Sequence, residues 1–316
     1  MTRELGLGLQ TDKRPGSYAA LARIAEDGGF DVVTAFNDLW YQPALPALLE
    51  IAAATTRVHV GPSCLNPFML HPVEIAGQIA ALDLASDGRA YLGLAAGAWL
   101  DQAGVEQRHP VRRIAETWAI VSRLLAGDRA GFAGDDFTLA PGARLAYEPR
   151  RPSVPLLVGT WAPLLTAFAA EHAHELKLGG SANPALVRLT EDRLTSSDVG
   201  IVVGAVTVVD EDDARARAWA RRQVAMYLGV VGSLDPTFDV DPELVARVKA
   251  DADAAALIPD DVLDRFAFSG TPEQIAAQAE ALFDAGAKRV EFGTPHGIDE
   301  RVGVELLVRE VAPRLR

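Results

Sequence analysis

Residues 154–178 read VPLLVGTWAPLLTAFAAEHAHELKL. The runs Val154–Val158 and Glu175–Leu178 are predicted strands, and Leu164–His172 between them is a predicted helix that starts after a proline. Short strands joined through a helix are typical of parallel sheets, and proline is favoured in the first turn of a helix. This stretch therefore predicts one strand–helix–strand unit of a parallel α/β fold.

The same alternation continues along the chain in both directions. The predicted strands are Leu5–Gln10, Asp31–Phe36, Arg57–Gly61, Ala90–Ala95, Val154–Val158, Glu175–Leu178, Gly200–Val208 and Arg289–Phe292. Eight strand–helix repeats with mostly apolar strands predict a (β/α)8 TIM barrel. An open, doubly wound sheet is the alternative, although it would need an edge strand and usually has fewer repeats.

Two longer segments interrupt the repeats, at about residues 98–153 after the fourth strand and 229–269 after the seventh. We expect both to be insertions in a single domain that spans residues 1–316. Loops that follow barrel strands carry the active sites of TIM-barrel enzymes. The two insertions are therefore expected to shape the substrate pocket.

The composition excludes several classes of protein. The chain has 316 residues, of which 49% are hydrophobic, and a formal net charge of −13. Its one cysteine excludes an internal disulfide framework, and its acidity disfavours binding to nucleic acid or to an anionic membrane. We expect a soluble, cytoplasmic protein that acts on a small molecule and has no nucleic-acid or membrane partner.

The predicted carboxyl ends of the strands carry the candidate binding residues. Small residues there, such as Ala96 and Gly97, leave room for a flat ligand. In the run Gly159–Pro163, Ala162 is the expected N-cap and offers no side-chain oxygen to the free N–H groups of the next helix. Such a helix start predicts an anion site, usually for a phosphate, with an ordinary solvated helix start as the alternative.

Metal-dependent and hydrolytic chemistry find no support in the sequence. His172 and His174 are only two positions apart at a helix end, which does not place both side chains on one face. Ser63 and Cys64 have no partner base at an informative spacing, and the chain lacks a Gly-x-Ser-x-Gly turn. We therefore expect no metal site and no nucleophilic hydrolase.

Two segments carry a resemblance to a known family. Residues 60–72 (VGPSCLNPFMLHP) and 87–97 (DGRAYLGLAAG) resemble the bacterial-luciferase-like superfamily of flavin and deazaflavin oxidoreductases. Within it, Asn66–Phe68 and His71–Pro72 look most similar to the methylenetetrahydromethanopterin reductase branch. That branch uses coenzyme F420, a deazaflavin that transfers a hydride. The resemblance spans nearly the whole chain.

The resemblance implies a TIM barrel, a homodimer and a hydride transfer between F420 and a small organic substrate. It also implies a bulge after the third strand, with a non-prolyl cis peptide between Ser63 and Cys64, on which the coenzyme ring rests. The phosphate is implied at the helix after the fifth strand. The expected coenzyme-binding residues are Asn37, Ser63, Cys64, Asn66, Ala96, Gly97, Gly159, Thr160, Trp161, Ala162 and Pro163.

The chain departs from the family pattern at two places. Many deazaflavin enzymes have Asp-His where this chain has Asn37 and Asp38, and several have an acidic residue at the position of Ala98. Asp38 is therefore the candidate catalytic acid, and a turn-forming or helix-capping aspartate is the alternative. Trp40 and Tyr41 are candidate walls of the substrate pocket.

Other interpretations remain open at this point. One is an FMN-dependent monooxygenase that uses reduced FMN and oxygen on the same barrel. Another is a noncatalytic barrel that binds flavin, which the missing acid at Ala98 and the loss of Asp-His at Asn37 and Asp38 favour. Of the histidines near the strand ends, His71 is expected to form a hydrogen bond before a helix. His296 is expected to be exposed, with a pocket-lining position as the alternative.

Overall fold

The computed structural model describes residues 3–194 and 198–316. Its strands are β1 (Glu4–Leu9), β2 (Val32–Ala35), β3 (His59–Pro62), β4 (Leu92–Ala95), β5 (Phe132–Ala133), β6 (Thr138–Leu139), β7 (Leu156–Gly159), β8 (Glu175–Gly179), β9 (Gly200–Val209), β10 (Ala267–Gly270) and β11 (Arg289–His296). Its helices are α1 (Ser17–Asp27), α2 (Ala44–Ala54), α3 (Pro72–Ala85), α4 (Pro110–Ala126), α5 (Pro163–His172), α6 (Pro184–Arg193), α7 (Asp213–Val231), α8 (Pro242–Ala250), α9 (Asp260–Phe266), α10 (Pro272–Asp284), α11 (Glu300–Leu306) and α12 (Ala312–Leu315).

Eight parallel strands form a ring around a common core. Their order is β3-β2-β1-β11-β9-β8-β7-β4, and isolated parallel bridges between β3 and β4, Val60 with Ala90 and Leu65 with Leu94, nearly close it. Each of the eight predicted strands overlaps one of these strands. The predicted TIM barrel is therefore confirmed, and the open sheet is not the fold.

The sequence did not predict the short parallel strand β10, which lies inside the segment expected to be an insertion. β10 pairs with the second half of β9, from Val206 to Val209. The ten-residue β9 is long enough for this, because its first half pairs with β8 and its other edge pairs with β11. Four residues directly after a helix offer too short a pattern for a strand prediction.

The two expected insertions contain structure of their own. Residues 98–153 hold α4 and the β5–β6 hairpin, and residues 229–269 hold α8 and α9. Their status as insertions and the single-domain division stay predictions. None of the described helices combines the length and the apolar character that crossing a bilayer requires.

A network of buried charges fills the amino-terminal end of the barrel. The Arg289 guanidinium donates to one carboxylate oxygen of Glu175 at 3.0 Å and forms an ion pair with the other, with an N···O distance of 2.8 Å. Lys288 also contacts Glu175, at 2.9 Å, and Glu4, at 3.2 Å. Burial disfavours the ionised form of Glu175, but Arg289 and Lys288 hold its pKa below the ordinary value. The interior charges are thus matched by partners.

Replacing Arg289 with Met should strongly destabilise the fold. Arg289→Met leaves the Glu175 carboxylate buried with one partner fewer, so we expect the free energy of unfolding to fall by about 3–5 kcal/mol. Urea denaturation monitored by circular dichroism measures this change. The control is Arg301→Met, which removes an exposed ion pair with Glu305 and should change stability by less than about 0.5 kcal/mol. Equal effects of the two substitutions would contradict the assignment.

Candidate active site

The predicted site residues lie at the carboxyl ends of four strands that are consecutive around the ring. These strands are β2, β3, β4 and β7. Parallel strands end on the same face of a barrel, so the structure brings the residues that follow them to one mouth. The mouth is therefore the candidate active site.

The bulge after β3 has the geometry that the family resemblance implied. The Ser63–Cys64 peptide bond is cis. The Cys64 side chain lies between two glycines of neighbouring strands: a Cβ atom on Gly159 would be 3.0 Å from Cys64 Sγ, and one on Gly93 would be 3.3 Å from it. A Cβ atom on Gly93 would also collide with the carbonyl oxygen of Pro62. Only glycine at these positions leaves room for the bulge.

The Cys64 thiol is neutral at ordinary pH. Burial raises its pKa to about 11, despite opposing effects from the Lys177 charge and a contact with Ser63. A thiol is nucleophilic only as its thiolate, so this cysteine is not prepared for attack on a substrate. Its role at the bulge is to provide a compact, apolar surface.

Asp38 and Asn37 have different environments although they are adjacent. The Asn37 amide oxygen accepts a hydrogen bond from the backbone N–H of Ala44, at 3.0 Å, at the start of α2. Asp38 instead accepts a hydrogen bond from the Gln10 side chain at 2.9 Å. Burial raises the pKa of Asp38, although the Gln10 hydrogen bond and the Lys177 charge oppose the rise. Asp38 can thus hold a proton at higher pH than an exposed aspartate.

The start of α5 has no side-chain cap, as predicted. Two of the backbone N–H groups expected to be free are nevertheless engaged. The N–H of Thr160 donates to the Lys177 carbonyl at 3.1 Å, and the N–H of Ala162 donates to the Thr160 hydroxyl at 3.0 Å. Pro163 has no N–H, so an anion here would meet the N–H groups of Trp161 and of the first helical turn from Leu164.

Local hydrogen bonds fix the residues after β4. The Gln107 side chain donates to the carbonyl oxygens of Ala96 and Gly97, at 2.7 and 2.9 Å. The Asn66 amide oxygen accepts from the N–H of Met69 at 3.0 Å. The rest of the Asn66 side chain packs against Gly97, whose φ of 85° suits glycine. These hydrogen bonds hold the segment after β4 in place, and Ala96 and Gly97 form a wall of small residues beside the bulge.

The remaining sequence expectations had mixed outcomes. Trp40 is exposed at the mouth, and its indole N–H donates to Gln102 at 3.0 Å. His71 accepts from the N–H of Val73 at the start of α3, as expected. The prediction that His296 is exposed was wrong: the residue is fully buried because its ring packs inside, against the Phe292 carbonyl at 3.2 Å. Among the described residues, no cluster of His, Cys, Asp and Glu could hold a metal ion.

Three residues of the site were missed by the sequence reasoning: Gln10, Lys177 and Glu291. The Lys177 ammonium donates to the Ser63 hydroxyl at 2.7 Å and forms an ion pair with Glu291. The signal was present, because charged residues alternate with apolar ones in Glu175–Leu178 and Arg289–Phe292. Alternation within a barrel strand places every second side chain inside the barrel.

Comparison with known proteins agrees with this geometry. The sequence profile of the luciferase-like monooxygenase family matches residues 2–289. The chain belongs to this family. It is 27% identical over 342 residues to the 5,10-methylenetetrahydromethanopterin reductase of Archaeoglobus fulgidus, with 99% of this chain and 100% of that protein covered. It is 25% identical to the F420-dependent glucose-6-phosphate dehydrogenase of Rhodococcus erythropolis, with 100% of this chain and 99% of that protein covered.

Comparison with solved structures supports the same barrel fold. The structure of the coenzyme F420-dependent tetrahydromethanopterin reductase from Methanopyrus kandleri superimposes with a TM-score of 0.90. The two chains are 23% identical, and the match covers 100% of each. At this level of sequence identity, the similarity establishes that the two proteins share the barrel fold. The reaction has to be inferred from the residues of the site.

Proposed function

We propose that this protein is an oxidoreductase that transfers a hydride between coenzyme F420 and a small organic substrate. The observation that carries the proposal is the full-length similarity to proteins described as F420-dependent reductases and dehydrogenases. The bulge at Ser63–Cys64 supports it, because it lies at the mouth, where the family resemblance implies the coenzyme ring. The substrate is proposed only at the level of a small molecule.

The residues present fit a deazaflavin coenzyme. The compact Cys64 side chain and the small residues Ala96 and Gly97 leave a flat surface at the mouth. The uncapped start of α5 lies one strand further along the ring, after β7, and offers N–H groups to a phosphate. A planar ring and a phosphate thus have separate, adjacent sites.

Each part of the site has a role in the proposed reaction. The bulge and the wall after β4 would support and orient the ring, and the residues from Gly159 to Pro163 would hold the phosphate. When bound, the deazaflavin supplies the hydride chemistry. Asp38 would hold a proton for the substrate, because its raised pKa keeps the carboxyl protonated at higher pH than usual.

An FMN-dependent monooxygenase is the second candidate, since the description of the matching family is that of a monooxygenase. The two candidates share the barrel and the need for a ring surface and a phosphate site. They differ in the coenzyme and in the use of oxygen, so direct binding of each coenzyme separates them.

A fluorescence titration with F420 and with FMN tests the coenzyme and its site together. We expect F420 to bind more tightly than FMN. Gly159→Val should largely abolish binding because its side chain would crowd Cys64, while Thr160→Ala should weaken binding only modestly. The matched control is Gly179→Val, at the end of β8, where an added Cβ atom has open space. Tight FMN binding without F420 binding would favour the monooxygenase, and full binding by Gly159→Val would refute the phosphate site.

Replacing Asp38 with Asn tests the proton donor. We expect Asp38→Asn to lower turnover by about 10²–10⁴-fold and to leave F420 affinity nearly unchanged. In the unmodified enzyme, turnover should fall as the pH rises through the raised pKa of Asp38, because the carboxyl then loses its proton. The pH–rate profile and the F420 titration measure both effects. Asp101→Asn, at an exposed position of the same mouth, is the control.

If Asp38→Asn turns over like the unmodified enzyme, Asp38 is a structural aspartate. If the unmodified protein binds F420 but reduces or oxidises none of a panel of imines, enones, aldehydes and alcohols, the proposal of an enzyme is wrong. The interpretation as a noncatalytic flavin-binding barrel then takes its place.

We also propose that the protein is a homodimer that associates through one face of α3. Val73 and Leu84 are exposed apolar residues eleven positions apart, so they lie on the same side of this helix. Tyr147 is exposed beside them and donates its hydroxyl hydrogen to the Gly77 carbonyl of α3. Exposed apolar patches of this kind are typical of subunit interfaces.

Analytical ultracentrifugation tests the dimer. The chain has a mass of 33.6 kDa, so we expect a species of twice that mass for the unmodified protein. Leu84→Asp should shift it to monomer, because it places a charge in the apolar face. Met226→Asp changes an equally exposed apolar residue on α7 and should leave the dimer intact. A monomeric unmodified protein, or a dimer that Leu84→Asp does not affect, contradicts the proposal.

A further inference from the structure

A buried ammonium group lies directly behind the bulge. Lys177 comes from β8, and its side chain is only 6% exposed. The ammonium donates to the Ser63 hydroxyl at 2.7 Å, forms an ion pair with Glu291, and lies 5.4 Å from the centre of the Phe36 ring. Side chains that follow β2 and β3, together with Glu291 of β11, thus surround this charge and hold it in one place.

The charge of Lys177 reaches the groups on the mouth side of the bulge. It lowers the pKa of the Cys64 thiol and that of the Asp38 carboxyl, in each case against the opposite effect of burial. Glu291 raises the pKa of Cys64 more weakly than Lys177 lowers it. At the bulge, the electrostatic effect of the Lys177 ammonium is therefore larger than that of the Glu291 carboxylate.

The second carboxylate oxygen of Glu291, Oε2, is directed away from the bulge. This atom has no hydrogen-bond partner among the described residues and lies 4.0 Å from Arg289 Nε, which belongs to the amino-terminal network. The Lys177–Glu291 pair is thus oriented along the barrel, with its cation toward the mouth. Stability alone does not account for such a pair, because well-packed apolar residues in its place are often equally stable.

We infer that Lys177 is a positioning residue that fixes the bulge through Ser63 and places a positive charge behind the bound coenzyme, so that the reduced form is favoured. The inference rests on the proposed function. A hydride brings two electrons and one proton, and it makes the ring one charge unit more negative as its new C–H bond forms. A fixed cation in a water-excluded site stabilises that added charge.

The relative affinity of reduced and oxidised F420 tests this directly. We expect Lys177→Met to decrease the preference for the reduced form by about tenfold, which lowers the two-electron potential of the bound coenzyme by about 30 mV. Glu291→Gln removes the opposing charge and should shift the preference in the other direction. Lys288→Met is the matched control, because it removes a lysine from an ion pair at the amino-terminal end of the barrel. It should leave the ratio of affinities unchanged.

Because Lys177→Met leaves Glu291 buried without its partner, the double variant Lys177→Met/Glu291→Gln guards against loss of folding. Both residues of the pair are then neutral, and we expect the preference for the reduced form to lie below that of Glu291→Gln. A readout without coenzyme uses Cys64, the one cysteine of the chain. Its thiol should titrate at a higher pH in Lys177→Met than in the unmodified protein, as measured by the pH dependence of alkylation.

Opposite shifts in Lys177→Met and Glu291→Gln, with none in Lys288→Met, support the inference. A folded Lys177→Met with an unchanged ratio of affinities overturns it, and so does a folded double variant whose ratio equals that of Glu291→Gln. An equal shift in Lys288→Met also overturns it. If the unmodified protein binds neither form of F420, the proposed function itself fails, and this inference falls with it.

Discussion

Cys64 occupies space that depends on glycine in two neighbouring strands, β4 and β7. A Cβ atom on Gly159 would press on its sulfur, and one on Gly93 would strike the carbonyl of Pro62. This close approach lets the chain leave β3, form the Ser63–Cys64 bulge, and still rejoin β4 through the Leu65–Leu94 bridge. The shape of the mouth around Cys64 and its distance from α5 both follow from that packing.

Much of the barrel could be predicted because its strands carry a local signal. Predicted strands of four to nine residues located all eight ring strands, and the family resemblance located the cis bond. The missed features involve contacts between distant parts of the chain. Lys177 and Ser63 are 114 residues apart, and no local pattern specifies which strand will supply a partner for the bulge. His296 was misjudged for the same reason, since its burial depends on tertiary packing.

The interior of the barrel has two connected layers of charge with different environments. At the amino-terminal end, Glu175 forms ion pairs with Arg289 and Lys288. Nearer the mouth, Lys177 and Glu291 form a pair whose cation contacts the bulge. The layer at the amino-terminal end resembles an ordinary structural cluster of ion pairs. The layer nearer the mouth connects the barrel core to the candidate site through the contact between Lys177 and Ser63. The ion pairs inside this barrel therefore differ in their surroundings according to how far they lie from the mouth.

The length of β9 affects how such a barrel can diverge during evolution. One edge of β9 pairs with β11. The other edge pairs with β8 over its first half and with β10 over its second half, so the intervening chain leaves and returns along a single strand. Asn183, the N-cap of α6 in the loop after β8, also anchors this chain by donating to Asp235 at 2.7 Å. Because both ends are fixed, residues between them can be exchanged or lengthened while the ring stays in register. A lineage can thereby acquire new substrates on one side of the mouth and keep the surface around β3, β4 and β7 intact.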